Sequence, residues 1–82
     1  MYDIQFEQKA SKSFNKLERQ AQLQIGKKIE QLKTNPHIGK PLIGNLSGYW
    51  KLRIGKYRAI YQRYEGKLII IVLDIGHRKN IY

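Results

Sequence analysis

Residues 49–62 constrain the fold more than any other stretch, because they have the pattern of two β-strands joined by a tight turn. In the first half, apolar side chains occupy every second position: Trp50, Leu52 and Ile54. This alternation is typical of a half-buried strand. Gly55 and Lys56 follow as a two-residue loop with glycine first, which a type II′ hairpin turn prefers. The stretch therefore predicts a β-hairpin with its turn at these two residues.

The turn also sets the register of the hairpin. Three pairs result: Ile54 with Tyr57, Arg53 with Arg58, and Lys51 with Ile60. Arg53 and Arg58 become direct neighbours with Cβ atoms about 5 Å apart, an arrangement of like charges that destabilises a sheet. Lys51 lies on the same face, and a bound polyanion would relieve the repulsion among these cations. The alternative is that the long side chains splay into water, where surface repulsion costs little.

The charge balance points to an acidic partner. At 82 residues the chain has the length of one domain, residues 1–82, with one modest core. Lys and Arg number 16 against 6 Asp and Glu, which gives a formal net charge of +10 at pH 7. Nucleic acid or an acidic protein segment is therefore the predicted partner.

Several classes of site are excluded by what the sequence lacks. With no cysteine, disulfides and thiolate metal sites are excluded, and the redox compartment stays open. His37 and His77 show no cluster with metal-ligand spacing, so neither a metal nor another cofactor is predicted. Asp3 and Glu7 interrupt the beginning of the chain, and no apolar run approaches membrane-spanning length. We therefore expect a cytoplasmic protein with no membrane partner.

Two amphipathic helices are predicted after a short first strand at residues 2–6. Their apolar stripes are Phe6, Ala10, Phe14 and Leu17, then Ala21, Ile25, Ile29 and Leu32. We expect an antiparallel helical hairpin that turns near residues 19–22, with Gly26 marking close packing between the helices. Asn35 and Pro36 end the second helix, because the residue before a proline avoids helical geometry. A surface loop then leads to the central hairpin.

The last strand, residues 68–73, is continuously aliphatic, as expected for a strand buried on both faces. A tight turn at residues 64–67 places Leu73 opposite Arg58. One face of the sheet then carries the residues that pack on the helices: Trp50, Leu52, Ile54, Tyr57, Ala59, Tyr61, Leu68, Ile70 and Val72. The other face is half basic and half aliphatic: Tyr49, Lys51, Arg53, Arg58, Ile60, Gln62, Ile69, Ile71 and Leu73. The predicted fold is α+β, in the order β-α-α-β-β-β, with two antiparallel helices on one face of a mostly antiparallel sheet.

The C-terminal tail brings a second basic cluster towards the sheet. Gly76 permits a bend after the last strand. The residues that follow lie near the Arg58 end of the sheet: His77, Arg78, Lys79 and Tyr82. Two clusters far apart in the sequence thus converge on one region.

The order of elements and three short motifs resemble the RelE/ParE superfamily of bacterial and archaeal toxins. The motifs are Leu52-Arg53-Ile54-Gly55, the Tyr57-Arg58 element, and Gly76-His77-Arg78 followed by the terminal Tyr82. The resemblance covers essentially the whole chain and implies a toxin with a cognate antitoxin as its protein partner. In the RelE branch it implies cleavage of mRNA, usually on the ribosome. In the ParE branch it implies inhibition of DNA gyrase without RNA cleavage.

RelE-like cleavage implies attack by a ribose 2′-hydroxyl on the adjacent phosphate, which gives a 2′,3′-cyclic phosphate without a metal. The resemblance implies catalytic roles for four residues: Lys51, Arg58, Arg78 and Tyr82. Tyr49 stands where the pattern has a second strand lysine. No acid stands on this strand, where some relatives have a glutamate base, so the general base stays unassigned.

The chemistry of the side chains agrees with an RNA-cleaving site. Transesterification needs a base, cations for the crowded phosphorane and an acid for the leaving oxygen. The Arg58 guanidinium can clamp two phosphate oxygens. Lys51 can act as a base only if the neighbouring Arg53 and Arg58 favour its neutral form, and otherwise it stabilises charge. His77 is either an acid or base, or a structural residue. Further RNA contacts are expected from Tyr49, Arg53, Lys56 and Lys79; a non-catalytic RNA-binding module is a third alternative.

Overall fold

The computed structural model of the chain describes residues 1–44 and 48–77. The elements in chain order are β1 (Asp3–Phe6), α1 (Gln8–Asn15), α2 (Arg19–Glu30), a 3-10 turn (Gln31–Lys33), β2 (Lys40–Pro41), β3 (Trp50–Ile54), β4 (Tyr57–Tyr64) and β5 (Ile69–His77). The strands form one five-stranded sheet in the order β1-β5-β4-β3-β2. β1 runs parallel to β5, and the other neighbouring strands are antiparallel. The predicted α+β class is confirmed.

The short strand β2 is the element that the predicted order lacks. It consists of two residues, of which Lys40 pairs with Lys51 and Pro41 with Trp50. A proline has no N–H to donate to a ladder, so this strand is suited to the edge of the sheet. The stretch predicted as a plain loop therefore contains an edge strand, which two residues are too few to reveal by alternation.

The two helices pack on one face of the sheet and bury its apolar side chains. The core consists of Ala10, Ala21, Ile25, Ile29, Leu32, Leu52, Ile54, Tyr57, Ala59, Tyr61, Ile70, Val72 and Ile75. Each large aliphatic side chain buried here contributes roughly 1.5–3 kcal/mol relative to its exposed state. Leu68 was predicted on this face but is 48% exposed, because it lies in the β4–β5 turn with a φ of +54°.

The junction between the helices comes earlier than the predicted residues 19–22. α1 ends at Asn15, and Leu17 donates its amide to the carbonyl of Phe14. The side-chain amide of Gln22 also donates to the Phe14 carbonyl, at 2.9 Å, and so caps the end of α1 from the second helix. Within the described residues, no helix has the length and apolar character needed to cross a membrane.

Gly26 does not mark close packing between the helices, contrary to the sequence-based expectation. A Cβ atom built at this position has no atom outside its own helix turn within 4 Å. The glycine instead borders an open apolar groove with Ile4, Phe6 and Phe14. Contact between the helices therefore does not require a glycine at this position.

The register of the first hairpin is confirmed. Arg53 pairs with Arg58 and Ile54 with Tyr57, across a turn in which Gly55 has a φ of +58°. That positive φ is the reason for glycine at the first turn position.

The predicted register of the second hairpin is wrong by three residues. Arg58 pairs with Gly76, whereas Leu73 was expected opposite it. A shift of two residues arises at the turn, which spans residues 65–68 and pairs Tyr64 with Ile69. A shift of two leaves every side chain on its predicted face, because strands alternate with period two.

The third residue comes from a β-bulge in β5. Ile60 pairs with Asp74, but its neighbour Tyr61 pairs with Val72, so Leu73 is the extra residue. A one-residue insertion flips all later side chains to the other face. Asp74 therefore lies on the face away from the helices, and Ile75 enters the core, where it is 2% exposed.

Candidate functional site

The sheet face away from the helices carries a cluster of cations on β3 and β4. We call Lys51, Arg53 and Arg58 the basic face. Arg53 is exposed and Lys51 is half-buried, whereas Arg58 is only 2% exposed. The hairpin register places Arg53 and Arg58 directly opposite each other, as predicted. Tyr49, a predicted RNA contact, directly precedes β3 and is half-buried.

Asp74 adds an acid to this face that sequence reasoning missed. Its Oδ2 lies 3.9 Å from Nη1 of Arg58 and 3.7 Å from Nζ of Lys9 on α1. A buried guanidinium requires such an opposite charge, because an unpaired buried charge costs several kcal/mol. The sequence does contain a hint, since Asp74 interrupts an otherwise apolar strand and a buried acid needs a cationic partner. Only the bulge decides that this partner is Arg58.

His77 does not join the basic face. It pairs with Tyr57, and the two rings lie 5.2 Å apart between centroids. Tyr57 belongs to the core, so His77 lies on the helix side of the sheet, opposite to Arg58. The bulge explains this placement, because it changes the face of every residue after Leu73. His77 therefore lies near the Arg58 end of the sheet, as predicted, but on the opposite face from Arg58.

The remaining predicted site residues lie at the hairpin turn and in the tail. Lys56 is exposed, with its Nζ 5.8 Å from the centroid of the Tyr57 ring. Arg78, Lys79 and Tyr82 lie outside the described residues.

A second cluster fastens the loop before β2 to the helix side of the sheet. The Tyr61 hydroxyl donates to the carbonyl of Pro36 at 3.1 Å. Arg63 contacts Nδ1 of His37, donates to the Pro36 carbonyl at 3.4 Å, and stacks 3.6 Å from the centroid of the Trp50 ring. His37, which sequence reasoning left without a role, thus helps to anchor the loop that leads to Lys40.

The buried hydroxyl of Tyr61 makes the stability of the fold decrease at alkaline pH. Burial raises its pKa above the ordinary value of 10.0, while the Gly39 amide and the charge of Arg63 act in the opposite direction. The unfolded chain therefore releases this proton at lower pH than the folded chain. The stabilisation is complete below pH 10 and is lost as the pH rises through the folded-state pKa.

We expect Tyr61→Phe to make the free energy of unfolding fall less steeply with pH above about 10. The variant also starts from a lower stability, by roughly 1 kcal/mol, because the hydrogen bond to Pro36 is lost. Denaturant titrations between pH 8 and 12 measure both effects. Tyr64→Phe is the matched control, because it removes a hydroxyl from an exposed site. Equal slopes for the wild type and Tyr61→Phe would contradict the assignment.

No metal site is evident in the part of the chain that the structure describes, since no three His, Asp or Glu side chains come together there. The chemistry available on the basic face is that of cations and one carboxylate. Such a set can bind and polarise a phosphate group.

Comparison with known proteins relates the chain to toxins. Residues 4–82 match the family model described as the ParE toxin of the type II toxin–antitoxin system parDE. A RelE-like toxin protein of Escherichia coli is 32% identical over 80 residues, which cover 95% of this chain and 84% of the relative. The mRNA interferase toxin RelE of Escherichia coli K12 is 28% identical over the same shares of the two chains.

Solved structures agree with the sequence matches. The toxin–antitoxin complex RelBE2 of Mycobacterium tuberculosis contains a chain with a TM-score of 0.87 at 26% identity, covering 94% of this chain and 98% of that chain. The isolated RelE toxin of Escherichia coli gives a TM-score of 0.81 at 25% identity, and the match covers 94% of this chain and 84% of that chain. The fold and the basic face together define a RelE-like toxin domain. The chain belongs to the ParE toxin family of type II toxin–antitoxin systems.

Proposed function

We propose that this protein is a toxin that cleaves mRNA as a metal-independent endoribonuclease and thereby inhibits translation. The observation that carries the proposal is Arg58, a buried guanidinium held by Asp74 beside Lys51 and Arg53. Two curated relatives that cover nearly the whole chain are named mRNA interferases, which supports RNA as the substrate. The partners are a cognate antitoxin, as in the related toxin–antitoxin complexes, together with mRNA and the ribosome in the cytoplasm.

In the proposed reaction, the 2′-oxygen of a ribose forms a bond to the adjacent phosphorus, and the bond from phosphorus to the 5′-oxygen breaks. The proton of the 2′-hydroxyl passes to a base, and an acid protonates the leaving 5′-oxygen, so a 2′,3′-cyclic phosphate and a 5′-hydroxyl result. Arg58 and Arg53 stabilise the negative charge that grows on the phosphorane, and Lys51 adds a third cation.

The buried state of Arg58 sets a condition on this reaction. Its side chain is 2% exposed, so a phosphate reaches the guanidinium only after a local rearrangement exposes it. The guanidinium loses little further side-chain entropy when it binds the phosphate, because its burial already restricts it.

The other site residues take part as the resemblance implies. Arg78 and Tyr82 complete the catalytic set, as phosphate contact and as proton acceptor or stacking platform. Tyr49, Lys56 and Lys79 are proposed to contact the RNA strand. His77, which pairs with Tyr57 on the helix side, has no role in this mechanism.

The test is an mRNA added to a translating extract with the purified toxin, followed by primer extension and analysis of the new ends. We expect cuts with 2′,3′-cyclic phosphate and 5′-hydroxyl ends, the products of attack by the 2′-hydroxyl. DNA gyrase supercoiling is assayed in parallel. Intact mRNA together with blocked supercoiling would assign the protein to the gyrase-inhibiting branch instead. Binding of RNA with neither effect would indicate a non-catalytic module.

A further inference from the structure

A second cationic site lies beside the basic face, in a cleft at the edge of β3. The cleft has a volume of about 180 Å³ and is lined by Lys28, Ile38, Lys40, Lys51, Leu52 and Arg53. Four of these six residues are cations and none is an acid. Lys28 comes from α2 and Lys40 from β2, so the cleft joins three elements that are separate in sequence.

The shortness of β2 creates the cleft. The ladder between β2 and β3 ends at the pair of Lys40 with Lys51. The preceding residues, Ile38 and Gly39, form a bend and do not continue the ladder, so the edge of β3 beyond Lys51 is not paired by β2. Lys28, a half-buried residue of α2, lines the cleft together with these β3 residues.

The charges around the cleft repel one another in the folded chain. Lys40 and Lys51 are direct cross-strand neighbours, and like charges in this position destabilise a sheet. Among residues 1–44 and 48–77, the recorded salt bridges involve Lys9, Lys33 and Arg58, and none neutralises a cation of the cleft. An anion in the cleft would therefore convert repulsion into attraction, more strongly than at an open surface because Lys28 and Lys51 are half-buried.

The cleft is also held in a fixed shape. The loop that carries Lys40 is anchored by the hydrogen bonds of Tyr61 and Arg63 to Pro36. The approach of Gly39 to the backbone of Lys51 is so close that a Cβ there would lie 2.9 Å from the Lys51 oxygen. The backbone of Lys40 is thus positioned before any ligand arrives, which lowers the entropic cost of binding.

We propose that this cleft binds a backbone phosphate of RNA next to the phosphate that Arg58 contacts. The identity of the polyanion rests on the proposed function. Arg53 links the two sites, because it faces Arg58 across the hairpin and also lines the cleft. An RNA strand that leaves Arg58 crosses β3 at Arg53 and enters the cleft, where Lys28 and Lys40 hold the next part of its backbone.

The experiment measures the affinity of the free toxin for a single-stranded 2′-O-methyl oligonucleotide, which it cannot cleave, at several salt concentrations. The variant is Lys28→Gln combined with Lys40→Gln. We expect the slope of log affinity against log salt to become shallower by about 0.7, the value for one lost phosphate contact on a single strand. Lys27→Gln combined with Lys67→Gln removes the same charge from exposed positions outside the cleft and should leave the slope at its wild-type value.

A second arm separates substrate RNA from ribosomal RNA as the source of the phosphate. The same variants are sedimented with empty ribosomes. A shallower slope with the oligonucleotide supports the proposal. A loss confined to ribosome binding would assign the cleft to ribosomal RNA and overturn it, as would equal behaviour of the two double variants in both arms.

The binding assay does not depend on cleavage, so the two proposals can fail separately. Intact mRNA in the extract together with a changed salt slope would reject the nuclease and retain the phosphate site. Cleaved mRNA with an unchanged slope and unchanged ribosome binding would retain the nuclease and reject the phosphate site.

Discussion

Replacing Arg58 by lysine is expected to lower the rate of mRNA cleavage by at least about 100-fold, the range found when one donor to a developing oxyanion is removed. Lysine keeps the positive charge beside Asp74 but loses the planar fork that binds two phosphate oxygens. The measurement is the rate at which a defined message is cut in the translating extract. Growth arrest on expression of the variant should be relieved in the same way.

The lysine variant is preferable to alanine because Arg58 is 2% exposed. Alanine would leave a cavity and would remove the buried counter-charge of Asp74, which would keep the exposed Lys9 as a partner. Arg19→Lys makes the same chemical change at an exposed position at the start of α2 and should cut at the wild-type rate. Thermal melting of both variants shows whether the fold is retained. Undiminished cleavage by a folded Arg58→Lys protein would reject the assignment of the site.

Replacing Gly39 by alanine is expected to lower the free energy of unfolding by about 3 kcal/mol, at the upper end of the cost of overpacking. The new methyl group would meet the Tyr61 hydroxyl, and it would lie 2.9 Å from both the Lys51 carbonyl oxygen and Cε1 of Tyr61. The Tyr61 ring is fully buried and the Lys51 oxygen is backbone, so neither can easily move away. Denaturant unfolding followed by circular dichroism measures the change.

Gly26→Ala is the matched control, with an expected effect of opposite sign. A Cβ at Gly26 meets open space, and alanine within a helix is favoured over glycine by roughly 0.5–1 kcal/mol. The two variants add the same methyl group, so a general effect of glycine replacement would move both in one direction. A Gly39→Ala protein as stable as the wild type would show that the loop before β2 is not fastened as described. It would also remove the support for a preorganised Lys40.

The sequence by itself determined the central hairpin and the side chains that it brings together. Alternation over residues 50–54 and a two-residue turn leave one register, so the pair of Arg53 with Arg58 followed from local pattern alone. The helical stripes likewise identified the core residues of α2, since a helix is a local structure with its own period. The resemblance to a toxin family was also evident from short motifs, two in this hairpin and one near the C-terminus.

Only the tertiary structure decided how β5 meets this hairpin and what it brings to Arg58. The length of the second turn and the extra residue at Leu73 are not encoded by alternation, because an aliphatic run is apolar on both faces and permits several registers. The observed register is the one that buries Ile75, and not Asp74, in the core. It places Asp74 beside Arg58 and His77 beside Tyr57.

The same reasoning applies to β2 and its loop. A two-residue strand has no period of its own, and its position depends on contacts across the fold: the Pro36 carbonyl with Tyr61 and Arg63, and Gly39 with Lys51. These contacts join residues 12 to 27 positions apart in the chain, beyond the range of any local pattern. The sequence alone therefore predicted the cations of the basic face, while long-range packing supplied the acid that holds Arg58 and the lysines of the adjoining cleft.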